Sequence, residues 1–290
     1  MSRLSLLGSP SSRMASRPAP RRTSLGRQAV KYLEVARITL RSRWAYLGEQ
    51  LLARVYLVII MFVFVQLWRT TYAAEGSVRL SGFTLPEMIW YLVATEAIIL
   101  SLPRVHAALQ QEVQGGDLAI RLNKPYSYLL FHYAAFVGEG LVLLATALGM
   151  GGLTAYLLVG GFDFRWEALP VLALIYLVTQ ALHFTYHAAI GLLAFWTEDV
   201  MGIFFFLDRV KWILGGMLLP LDLFPPALRQ LAEVLPFREM IYGPALLFVR
   251  FSWPAAADLL LRQGLWLLAL ALVCVALYRL GVRRVDINGG

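Results

Sequence analysis

Charge is scarce in this sequence. Asp, Glu, Lys and Arg make up 15% of 290 residues, where a soluble domain carries roughly 25%. Hydrophobic residues reach 59% and the mean hydropathy is +0.65. So little charge cannot cover a water-facing surface, so lipid must cover part of the chain. That excludes an ordinary cytosolic enzyme, a disordered chain and a collagen-like fibre. Cysteine is nearly absent: Cys274 stands alone in an apolar run. A disulfide scaffold is excluded, and the redox compartment is left open. Motifs of energy conversion and catalysis are also missing. There is no Gly-x-x-x-x-Gly-Lys-Ser/Thr loop, so no Walker-type nucleotide site, and no nucleophile elbow, Cys-x-x-Cys or His-Glu-x-x-His. A pump built on this chain takes its ATPase from another polypeptide. The chain itself is expected to be no enzyme and to hold no metal or cofactor.

The charge that is present is unevenly placed. The 26 Lys and Arg outnumber the 18 Asp and Glu, and residues 1–50 hold ten bases against the two acids Glu34 and Glu49. This asymmetry suits an anionic membrane surface and argues against nucleic acid as a partner. Residues 1–27 are rich in Ser, Pro and Arg without an apolar core, which fits a disordered basic cytoplasmic tail and also the composition of a transit peptide. From 28 to 47 the pattern turns helical. Leu33, Ala36, Leu40, Trp44 and Leu47 recur every three or four residues, as in an amphipathic helix lying at a membrane interface.

A helical span needs about 20 mostly apolar residues. Six stretches qualify when charges near their ends are allowed to snorkel: about 51–68, 85–102, 134–160, 168–195, 201–220 and 257–278. The expected fold is therefore an all-α polytopic membrane protein occupying 28–290. Six spans place both termini on one side. Sixteen of the bases fall on that side and six on the other, so the positive-inside rule makes the termini cytoplasmic, in the plasma (inner) membrane.

Two loops break the pattern. In the inner loop 103–127, Val105–Gln114 reads as a short helix stopped by Gly115-Gly116. Asp117 can cap the next turn, and Pro125 ends it. The outer stretch 220–256 carries Pro220, Pro225, Pro226, Pro236, Pro244 and Pro254 but is too apolar for a solvated loop. It reads as a re-entrant or interfacial hairpin with a short helix from Pro225-Pro226 to about Val234.

Polar residues at membrane depth are candidates for function. Glu96 and Glu139 are expected to face a cavity or to pair with Arg54 or Arg209, and would serve an ion-coupled secondary transporter as proton relays. Asp208, Arg209 and Lys211 are expected to form an internal pair or to face a subunit boundary. His183 and His187, at i and i+4, and His132 suit either packing through hydrogen bonds or a metal or haem. Ala145, Gly149 and Gly152 form a small-residue face for close helix packing.

The inner loop Glu112–Pro125, with Gly115-Gly116, Asp117, Arg121 and Lys124, resembles the segment after the second span of type-2 ATP-binding-cassette (ABC-2) permeases. So do Phe195-Trp196 with Glu198, the string Gly215–Pro225, and Leu235-Pro236-Phe237 with Ile241–Pro244. The resemblance covers about 28–285 and is strongest to the group of multidrug or viologen-type exporters. It implies the membrane subunit of an ATP-driven exporter of amphipathic substrates. Two such subunits, identical or related, would bind a dimer of cytoplasmic ATPases that hold ATP and Mg. The inner short helix would be a coupling helix, with Leu109, Gln110, Glu112, Val113, Gly116 and Asp117 as ATPase contacts. The hairpin marked by Pro220, Pro225, Pro226 and Pro236 would cap the exit side.

Overall fold

Long apolar runs interrupted by Gly, Pro and isolated charges can satisfy their backbone in lipid only as helices. The computed structural model describes residues 25–122, 124 and 126–287, and helices account for about four fifths of them. In chain order they are α1 (Leu25–Trp44), α2 (Leu47–Leu52), α3 (Val55–Glu75), α4 (Leu85–Leu100), α5 (Val105–Gln114), α6 (Asp117–Leu122), α7 (Tyr128–Val159), α8 (Leu169–Leu192), α9 (Met201–Leu214), α10 (Pro226–Val234), α11 (Phe237–Met240), α12 (Tyr242–Val249) and α13 (Trp253–Ile287). The basic tail over 1–24 and the stop at Pro125 lie outside the described residues.

Among the described residues, five stretches are long and apolar enough to cross a membrane: Leu47–Glu75, Leu85–Gln114, Tyr128–Val159, Trp166–Phe195 and Trp253–Arg284. The sixth expected span, 201–220, is different. Its helix α9 stops at Leu214, before Gly215-Gly216, after 14 residues. At about 1.5 Å per residue that is about 21 Å, short of the roughly 30 Å hydrocarbon core. Contacts between loops nevertheless define two ends of the bundle. At one end Tyr32 meets Ser127, Gln110 and Gln114 meet Glu198, and Tyr128 stacks on Tyr278. At the other, Trp90 donates to Gly160, Arg250 reaches Gly82 and Glu87, and Phe162 packs on Phe248. The five long stretches run between these ends, and α9 with the backbone after it starts from the first. Both ends of the described chain lie at the first, or terminal, end.

Local signals set most boundaries. Thr84 and Glu87 form a capping box on α4, with Pro86 in its first turn. That accounts for a carboxylate at the start of a span, and Arg250 neutralises it at 2.7 Å. α4 is the central element, buried along most of its length between α3 and α7 on one side and α12 on the other. α13 lies against α8 and turns Leu261, Leu265, Leu268 and Leu272 outward, a stripe at helical spacing suited to lipid. Lipid supplies little hydrophobic drive between helices, so close packing carries the association. Gly138 is such a contact: a Cβ there would lie 2.3 Å from the Ala36 carbonyl oxygen. α1 is thus packed on α7 and does not merely rest in the interface. Its Leu33, Ile38 and Trp44 remain exposed, and it begins at Leu25 and ends at Trp44, both three residues before the expected bounds.

The stretch 220–256 folds back against the bundle. Tyr91 donates to the Gly216 carbonyl, Thr95 to Met217 at 2.7 Å, His183 to Met240 at 3.1 Å and Gln263 to Glu239 at 2.9 Å. These side chains come from the middle of α4, α8 and α13 and satisfy carbonyls that no regular helix serves. Irregular backbone is tolerated at membrane depth on that condition. The hairpin extends past Pro244 to the end of α12, and α10 starts at Pro226 and ends at Val234 as its sequence predicts.

Candidate functional site

Two features stand at the terminal end: an inner loop with an exposed tip, and a cavity behind it. α5 and α6 form the loop. Val105, Leu109 and Glu112 recur at i, i+4 and i+7, so they share one face of α5, and all three are buried. That face lies on α8, where a Cβ on Gly191 would sit 2.9 Å from His106 Cα. Glu112 is the hub. Its carboxylate accepts from Tyr128 Oη at 2.8 Å and from His132 Nε2 at 3.1 Å, and it pairs with Arg121 at 2.9 Å. It therefore ties α5, α6 and α7 together. Gln110 and Gln114 donate to the Glu198 carbonyl, joining the loop to the segment before α9.

The expected docking residues divide between buried and exposed positions. Leu109 and Glu112 face the protein, Val113 packs beside them, and Gln110, like Gln114, reaches the Glu198 carbonyl. Gly116 and Asp117 are exposed, as are Gln111, Gln114 and Gly115. The surface available to a partner is the tip Gln111–Asp117 with Glu112 and Val113 turned inward.

The cavity has a volume of about 1150 Å³, ample against the roughly 300–1,000 Å³ of small-molecule pockets. α1, α2, α4, α5, α7, α8 and α9 all contribute to its wall. His132 lines it and also bonds Glu112, so the loop and the cavity share a side chain. Glu139 lies in the wall and pairs with Arg43 of α1 at 3.0 Å. The expected base was Arg54 or Arg209, but the α1–α7 packing at Gly138 brings Arg43 first. Arg54 instead donates to the Leu100 carbonyl at 2.8 Å. Arg209 is exposed and lies over the Trp212 ring at 3.9 Å and over the Phe205 ring at 4.8 Å. Glu96 is buried on α4 and forms no ion pair with Arg54 or Arg209 among the described residues.

Asp208 does form an internal pair. It lies against Lys211, one helical turn on, and 3.3 Å from His187 Nε2, which is itself 3.0 Å from the Lys211 ammonium. Lys211 is fully buried, so the pair keeps a charge inside the bundle. His183 serves the hairpin, His187 this cluster and His132 the loop. Among the described residues no three His, Cys, Asp or Glu are grouped to hold a metal ion.

Residues 55–289 match the family model described as ABC-2 family transporter protein. The chain belongs to the ABC-2 transporter family. It is a multi-pass membrane protein and the permease component of an ABC transporter, in a family whose members work with an ABC ATPase. No curated protein matches it. The match begins at the first residue of α3, so α1, α2 and Arg54 of this permease lie outside it although they build one side of the cavity. Sequence reasoning missed Arg54, Arg104 and His106 as wall residues. A signal existed for Glu112, since its spacing from Leu109 and Val105 places it on the buried face.

Proposed function

We propose that the chain is the membrane subunit of an ATP-driven exporter of amphipathic substrates, in the plasma membrane with both termini cytoplasmic. A second permease subunit, the same or related, completes the pathway, and a separate pair of cytoplasmic ATPases holds ATP and Mg. The observation that carries this reading is the inner loop: in an ABC-2 permease, a short helix is seated on the bundle by its buried face while its tip, Gln111–Asp117, is left open. Closure of the ATPases would push that tip. The Glu112–Tyr128–His132 contacts would pass the displacement to α7 and the cavity wall, a rigid-body device. The cavity would take the substrate from the terminal side, and the hairpin from Pro220 through Pro225, Pro226 and Pro236 would cap the exit. A place in the multidrug or viologen-type group, part of the same proposal, would suit an amphipathic substrate.

The test is reconstitution. The full chain is purified from membranes with whatever binds it and placed in lipid vesicles with an amphipathic dye. ATP-dependent dye movement that needs a co-purified ABC ATPase supports the reading. Dye movement driven by a proton gradient with no ATPase present refutes it.

A further inference from the structure

We propose that α9 is a lever between the inner loop and the exit hairpin, and that His106 is the positioning residue through which the loop drives it. The inference rests on the reading of the inner loop as the ATPase contact. It adds a second route for that motion, apart from the Glu112 contacts to α7.

α5 turns two faces to the bundle. Val105, Leu109 and Glu112 seat it on α8 and α7. His106, Gln110 and Gln114 recur every four residues and form a second stripe. That stripe meets α9 and the segment leading into it. Gln110 donates to the Glu198 carbonyl at 3.3 Å, and Gln114 donates to the same oxygen. The His106 ring is buried and lies flat on Phe204 of α9, with 3.4 Å between centroids at 11°. Neither nitrogen of that ring has a hydrogen-bond partner among the described residues, so the contact is made by the ring face alone. Behind the ring the backbone has no slack: a Cβ on Gly191 would lie 2.9 Å from His106 Cα. His106 is thus wedged between α8 and α9, and a close-packed wedge passes displacement on.

α9 is held in the way a lever needs. Asp199 accepts from the Met201 N–H at 2.8 Å and ties down the first turn. Phe204, Asp208 and Lys211, at i, i+4 and i+7, form its inward face. His106 grips Phe204, while His187 of α8 stands 3.3 Å from Asp208 and 3.0 Å from Lys211. This buried charge cluster pins the middle of the helix to α8 and serves as the pivot. The opposite face, with Phe205, Phe206, Arg209 and Ile213, is exposed and leaves room to tilt. The far end abuts the hairpin. A Cβ on Gly215 would lie 2.7 Å from Ile241 Cδ1 and 3.1 Å from the Phe237 carbonyl oxygen. α10 packs on α9 as well. A push on Phe204 would therefore swing the Gly215 end against the hairpin, a rigid-body motion.

The test uses the full chain with its co-purified ATPase in lipid vesicles. Bimane on Val234→Cys, exposed at the end of α10, reports the hairpin, since Cys274 is buried. Its emission should shift when a non-hydrolysable ATP analogue is added. The shift is read without dye, so a change in what the cavity binds does not enter. His106→Ala should abolish the shift and lower the dye moved per ATP hydrolysed about tenfold or more. His106→Phe should keep the shift, because a phenyl ring stacks on Phe204 and the imidazole nitrogens make no bond. Phe204→Leu keeps the bulk but not the flat stack; it should lose most of the shift, and it decides the matter if His106→Ala does not fold. A merely structural role would lower the unfolding midpoint and leave the shift in place. No shift in the parent chain, an unchanged shift in folded His106→Ala or Phe204→Leu, or loss of the shift in His106→Phe overturns the lever. With ATP-driven transport intact, that failure counts against the lever and not against the permease. Absence of ATP-driven transport in the parent chain removes the reading beneath it, and the lever falls too.

Discussion

Replacing Glu112 with alanine removes the group that holds the inner loop to the bundle. Three contacts converge on that carboxylate: the Tyr128 hydroxyl at 2.8 Å, the His132 ring at 3.1 Å and Arg121 at 2.9 Å. Hydrogen bonds to a charged group contribute roughly 1.5–3 kcal/mol each. The Arg121 side chain is 30% exposed, so its share falls toward the roughly 1 kcal/mol or less of a surface pair. The contacts are coupled and do not simply add, so Glu112→Ala should cost on the order of 3–5 kcal/mol, the range for breaking a buried pair. At about 2–4 °C per kcal/mol for a chain of this class, the midpoint of thermal unfolding should fall by roughly 6–20 °C. Glu112→Gln keeps an acceptor for Tyr128 and should lose about half as much. The assay is thermal unfolding of the full chain in nanodiscs, paired with hydrogen exchange. Exchange should rise in α5 and α6 and hold in α13. An unchanged midpoint together with unchanged protection of α5 would refute the claim that Glu112 seats the loop.

The same packing sets three further outcomes. Lys211→Met leaves the Asp208 carboxylate buried without its base and should destabilise the chain by about 3–5 kcal/mol, whereas Lys211→Met combined with Asp208→Leu should recover much of that loss; thermal unfolding reads both. His183→Ala strips the Met240 carbonyl of its donor at membrane depth and should cost roughly 1–3 kcal/mol, with His183→Gln milder; exchange in α11 and α12 locates the effect. Gly138→Leu drives a side chain into the Ala36 backbone and should release α1 from α7, measured as a rise in hydrogen exchange in α1 while α13 keeps its protection.

Much of the fold was legible locally. α5 falls on Val105–Gln114 and α10 on Pro226–Val234 because Gly115-Gly116 and Pro225-Pro226 are strong punctuation, and such signals act within a few residues. Asp208 and Lys211, at i and i+3, announced their pairing in the same way. The cavity was not legible. Its charges come from α1, α2, α7 and α9 and from Arg54 and Arg104 just before α3 and α5, and which base reaches which acid depends on helix approach. Glu139 meets Arg43 because glycine at 138 lets α1 close on α7, and no pattern around Arg54 or Arg209 foretells that. Glu87 is the N3 half of a capping box whose N-cap, Thr84, lies outside the apolar window 85–102. The hairpin was legible as too apolar for a loop, but its depth depends on donors scattered over Tyr91, Thr95, His183 and Gln263. Ala145, Gly149 and Gly152 read as a packing face; Gly149 has nothing within 4 Å of its Cβ position, Gly152 does meet the Trp90 ring at 3.3 Å, and the tightest approach on α7 occurs at Gly138.

Transport on this proposal depends on a separate ATPase engaging the open tip of the inner loop. A thiol-directed photo-crosslinker attached to Asp117→Cys probes that contact in native membranes, because the chain's own Cys274 is buried. The same crosslinker on Val78→Cys, exposed at the opposite end of the bundle, is the reference. Illumination should join the chain to an ABC ATPase from position 117 and not from position 78. An ATPase adduct absent at 117, or formed from 78, would contradict the proposed docking.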